Sequence, residues 1–143
     1  MSPARATARQ SCTARAPIRS SDDAIEVIAL ALHQPLRPET VVLLLDDSGF
    51  GSTITVVAGT HRADDVLQVV ECLAEAACSS LTIAALVVAS VRPDNAVSGD
   101  DIDRWLEARS LAESYGVQLT EWFVISSAAI ECPRELLGEP ERW

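Results

Sequence analysis

Ten residues near the middle of the chain, Thr82 to Val91 with the sequence TIAALVVASV, are apolar at nearly every position. A strand covering one face of a sheet alternates apolar with polar residues. An unbroken apolar run of this length, followed by Arg92-Pro93, therefore asks for cover on both faces. That requirement constrains the whole fold: the strand belongs in the interior of a sheet, with further elements packed on either side.

The flanking sequence supplies those elements. Asp22 and Asp23 place negative charge where a helix macrodipole favours it, and Ile25, Ile28, Leu30 and Leu32 continue a helix expected to run to His33, before Pro35 and Pro38 stop it. Thr40 to Leu45 and Thr53 to Ala58 read as two paired strands joined by DDSGFGS. From Asp64 to Ala77, Val66, Leu67, Val69, Val70, Leu73, Ala74 and Ala77 share one side of a helix, with Gln68, Glu71 and Glu75 on the other. A second long helix is expected from Gly99 to Tyr115, opened by Ser98 with Asp101 three positions on and closed by Gly116. Val117 to Ser126 forms a last strand, and a tail with Pro133, Gly138 and Pro140 follows.

This order, α β β α β α β without an internal repeat, predicts a single α/β domain with a mixed sheet flanked by helices, over residues 22–143. Residues 1–21 read as a disordered tail bearing arginine; a transit peptide is the alternative for so acid-free a start. A chain of 143 residues is long enough to bury a core without disulfides or a structural metal.

Charge narrows the function classes. All 11 basic residues are Arg, and residues 22–143 carry seven of them against all 21 acids, net −14. So acidic a domain is a poor electrostatic match for nucleic acid or an anionic membrane, and no apolar run approaches the roughly 20 residues of a membrane span. Cys12, Cys72, Cys78 and Cys132 form no C-x-x-C pair, which suggests free thiols in a reducing compartment, the cytoplasm. Phosphate-binding glycine motifs, a G-x-S-x-G elbow and any Lys are missing. His33 and His61 are the two histidines, each expected in a solvated or helix-terminal role. The acidic run Gly99 to Asp103 is expected to serve as a helix cap, and Trp105, Trp122 and Tyr115 to pack in the core.

Taken in order, several short segments resemble the RadC-type branch of the JAB/JAMM (MPN) metalloprotease family. VVLLLDDSG resembles the opening strand, Gly59-Thr60 its turn, LVVASVRPD the strand that carries the zinc motif, and SGDDIDRWLEARSLAESYGVQLTEWFVIS the S-x-x-D helix and final strand. The resemblance covers roughly residues 39–130 and implies a JAB/MPN-like, cytidine-deaminase-like architecture. Where that family has H-x-H-P, this chain has Ser90-Val91-Arg92-Pro93, and Glu121-Trp122 takes the place of Asp-His. The resemblance matches Asp101 to the third ligand, and Glu39 lies within about one residue of the Glu that polarises the zinc-bound water.

Glu39, Ser90, Arg92 and Asp101 are therefore the positions of a degenerate site, with no residue expected to be catalytic. One carboxylate cannot hold a catalytic zinc, and the fixed charge of Arg92 would repel a dication and pair with Asp101 instead. The expected function is that of a metal-free, cofactor-free, non-catalytic module binding a protein partner. A hydrolase using Glu39, Asp101 and His61 in an atypical metal or acid-base site is the alternative. A DNA-repair association, which the charge opposes, is a third.

Overall fold

The computed structural model describes residues 4–5 and 16–143. The remainder of the expected N-terminal tail lies outside the described residues. A two-residue strand β1 (Ala4–Arg5) pairs with Val57 and Val56, and Ile18 is buried with its N–H bonded to the Gly49 carbonyl at 2.8 Å, so segments N-terminal to residue 22 join the domain.

The elements that follow are α1 (Ser21–Ala29), β2 (Glu39–Asp46), β3 (Gly51–Ala58), α2 (Ala63–Cys78), β4 (Ile83–Val91), α3 (Gly99–Ser114), β5 (Gln118–Ile125), β6 (Ile130–Glu131) and α4 (Pro133–Leu136). They form an α/β domain around one mixed sheet of order β1-β3-β2-β4-β5-β6, in which β4 and β5 run parallel and the other pairs antiparallel. The apolar run β4 is central, as its composition requires, and its last six residues are buried. Among the described residues no helix is long and apolar enough to cross a membrane.

Two cores lie on opposite faces of the sheet. On one, Val42, Leu86, Val88 and Trp122 meet Val66, Val70 and Ala74 of α2 and Trp105, Ala108 and Ala112 of α3. On the other, Val41, Leu43, Val87, Val91 and Phe123 meet Ala24 and Ile28 of α1, Ile18 and Cys132. Trp105 and Trp122 are both core residues, as expected.

Local chemistry explains most boundaries. In the β2–β3 turn the Asp46 carboxylate accepts from the amides of Ser48 and Phe50, and Gly49 takes φ 86°. After α3, Val117 N–H bonds to Ala112 C=O and Gly116 N–H to Glu113 C=O, with Gly116 at φ 78° in the left-handed region.

Helix α1 is shorter than its apolar pattern suggests and ends at Ala29 rather than His33. Leu30, Ala31 and Leu32 bond three residues back instead of four, tightening the chain out of the α-helix before His33. The C-terminal stretch expected as a plain tail adds β6 and α4.

Candidate functional site

The site forms where β4 ends and α3 begins. Parallel strands β4 and β5 are joined through α3, so the carboxyl end of β4 and the N-terminus of α3 are brought to one place, where open α/β sheets commonly hold ligands. Ser90 and Arg92 are two apart along the strand direction, and both turn toward α3. Arg92 donates Nε–H to Ser90 Oγ at 2.9 Å. Its Nη1 and Nη2 donate to Oδ2 and Oδ1 of Asp101 at 2.8 and 2.5 Å. Arg92 is 4 % exposed, and Ser90 and Asp101 are fully buried.

Asp101 serves two groups at once. It is the third residue of α3, where the helix N-terminus favours negative charge, and its Oδ2 also accepts from Ser98 N at 2.9 Å and Ser98 Oγ at 3.2 Å. The carboxylate is thus both the expected cap and the partner of Arg92. Desolvating two charges costs several kcal/mol per ion, so the pair is sustained by its fork-to-fork geometry and by these additional bonds.

Glu39 does not join this group. In the sheet register Thr40 stands opposite Ser90, whereas Glu39 stands opposite Val91, which belongs to the core on the α1 side. Adjacent strand residues point to opposite faces, so Thr40 is the β2 side chain beside Ser90. Its hydroxyl is bonded to Thr60 Oγ1 at 2.7 Å in the turn before α2. Glu39 instead lies fully buried on the other face, where His33 Nδ1 approaches its oxygens at 2.9 and 3.1 Å. An acid-base pair of Glu39 with Asp101 is not formed. The alternation of β2 carries the signal for this, since Val42, two places after Thr40, faces α2 and α3.

A cleft of about 660 Å³ is lined by Arg92 together with His61, Arg62, Asp64, Asn95, Ser98 and Arg104 among others. His61 is held there through its backbone, which donates to Asp65 Oδ2 at 3.1 Å. Arg104 joins Asp64 of α2 at 2.7 Å and Glu107 at 2.8 Å, tying the two helices across the cleft. That contact keeps Asp64 below the usual carboxylate range, through the Arg104 hydrogen bond first and its charge second. Among the described residues no cluster of three or more His, Cys, Asp or Glu is placed to hold a metal ion.

A second buried ion pair lies on the α1 side and was not anticipated. Arg134 Nε donates to Glu121 Oε2 at 2.8 Å, Trp122 N–H donates to Glu121 Oε1 at 3.0 Å, and Arg134 Nη1 donates to the Glu139 carbonyl at 2.6 Å. Burial raises the Glu121 carboxyl, against the opposing pull of Arg134 and the Trp122 amide. Burial also drives the nearby Cys132 thiol far up, with Glu121 and Glu135 adding to the effect. Cys72 and Cys78 are free and exposed, and Cys132 is free and buried.

Neither the protein-family models nor the curated proteins compared with this chain match it.

Proposed function

We propose that this chain is a metal-free binding domain of the RadC-like branch of the JAB/MPN class, in which an internal ion pair takes the place of a catalytic zinc. The observation that carries this reading is the bidentate contact of Arg92 with Asp101 at the β4–α3 junction. A guanidinium supplies fixed positive charge to a buried carboxylate, as the ion would, but it offers no open coordination position for water. The order of the elements and the shared orientation of Ser90 and Arg92 toward Asp101 support the reading. The cleft lined by Arg92 offers a surface for a protein partner, and an acidic domain favours one that is neutral or basic. The three free thiols among the described residues suit a reducing compartment, for which we propose the cytoplasm.

The test is metal content. Protein purified without chelator is expected to hold far less than one zinc per chain. The Ser90→His/Arg92→His double variant should gain close to one zinc, because two imidazoles and Asp101 then make a three-ligand set. Additional Asp101→Asn substitution should lose it again. Stoichiometric zinc in the unaltered protein would overturn the proposal. So would a folded double variant that takes up none.

A further inference from the structure

Residues 33–39 form a chain of three charged or titratable groups that the β4–α3 site does not use. Glu39 opens β2 with its carboxylate fully buried, and both its oxygens are within hydrogen-bond distance of His33 Nδ1. On the other side of the ring, Arg37 Nη2 approaches His33 Nε2 at 2.8 Å. Arg37 Nε lies 3.6 Å from Glu39 Oε1, so the arginine also closes back on the carboxylate. The His33 and Arg37 side chains are 44 % and 55 % exposed, whereas Glu39 is wholly enclosed.

The chemistry of these groups fixes the proton. A guanidinium can only donate, so Nε2 must accept, and the ring proton must sit on Nδ1, where it is donated to Glu39. Both contacts coexist only with a neutral imidazole. A proton arriving at Nε2 occupies the lone pair that receives Arg37 and turns that contact into two donors facing each other with like charge. The contact with Glu39 survives and becomes a full ion pair. The charged groups bonded to the ring are Glu39 from β2 and Arg37 from the loop itself, and α1 brings no basic residue in its last turn.

From this geometry we infer that His33 is a proton-operated latch on the α1–β2 loop: neutral, it ties Arg37 to the buried Glu39; protonated, it releases Arg37 while remaining on Glu39. Arg37 precedes Pro38, whose carbonyl accepts the Gly59 amide at 2.9 Å, so release acts at the point where this loop is tied to the turn leading into α2.

Nitrogen-15 NMR of the full chain tests the latch, with the exposed His61 as an internal reference. At pH 8, two-bond proton–nitrogen correlations should show His33 protonated on Nδ1. On acidification, the Arg37 side-chain and Leu36–Arg37 amide signals should shift along the His33 titration curve and not along that of His61. Arg37→Gln changes an exposed residue to an amide that accepts as readily as it donates, and it should abolish the coupled shift in the loop. His33 protonated on Nε2 at pH 8 would overturn the inference. An Arg37 signal that stays flat through the His33 titration, or a loop shift that persists unchanged in Arg37→Gln, would also overturn it.

Discussion

Glu39 and Arg92 stand at the same end of the sheet on opposite faces, because Glu39 is paired across β2 and β4 with Val91 and not with Ser90. One face therefore carries Arg92 with Asp101, and the other carries Glu39 with His33. The two charged clusters are separated by the sheet itself.

The Arg92–Asp101 pair should be strongly coupled in stability. Arg92→Ala leaves Asp101 buried without its counter-charge and is expected to lower the unfolding free energy by about 3–5 kcal/mol in urea titration. Combining Arg92→Met with Asp101→Asn should cost clearly less than the two single changes added together. Additivity within about 0.5 kcal/mol would mean that the two groups are solvated independently.

Glu121 should give the domain a characteristic pH dependence. Its carboxyl is raised above 4.5 in the folded chain, mainly by burial. The folded state then binds more protons than the unfolded one. The contribution of Glu121 is full below 4.5 and is lost as pH rises through the folded value. Measured between about pH 4 and about pH 7, the stability of the unaltered protein relative to Glu121→Gln should decline as pH rises. A difference that grows instead would show that the bond from Arg134 outweighs desolvation.

Thiol reactivity should separate the cysteines by burial. In a Cys12→Ser chain, which leaves Cys72, Cys78 and Cys132, native alkylation at pH 8 is expected to modify Cys72 and Cys78. Cys132, buried and with its thiol driven far up, should react only in denaturant. Mass spectrometry showing three modified thiols in the native state would contradict this placement.

Gly116 closes α3 at φ 78°, and a β-carbon built there meets nothing within 4 Å. Gly116→Ala should therefore cost only the left-handed backbone penalty, roughly 1–2 kcal/mol, read as a shift of the urea midpoint without a change in slope. A neutral substitution would mean that the helix end relaxes out of this conformation.

Much of the fold was legible because periodicity reports burial directly. The apolar run of β4 demanded two covered faces and has them, and the stripe Val66, Val69, Val70, Ala74 and Ala77 faces the sheet as its spacing requires. Ser98, Asp101 and Gly116 marked the ends of α3 through local hydrogen-bonding rules. The meeting of Arg92 with Asp101 was expected from the resemblance, which places both residues at one site, and not from periodicity or capping. The pair Glu121–Arg134 was not, because a turn, β6 and the start of α4 intervene and none of them announces where it docks.

The sequence by itself determined the seven long elements from α1 to β5, their order and the two-sided burial of β4, since these follow from local spacing and from the composition of each segment. Only the tertiary structure decided which face each polar residue occupies. The register moves from Leu86 opposite Leu119 to Val87 opposite Glu121, leaving Thr120 as an extra residue in β5. That irregularity turns Trp122 toward α2 and α3 and Glu121 toward α1. The same single-residue arithmetic set Thr40 beside Ser90 and sent Glu39 to the far side. A strand has a period of two, so a displacement of one residue exchanges the faces, and the pairing partner that fixes it belongs to another strand.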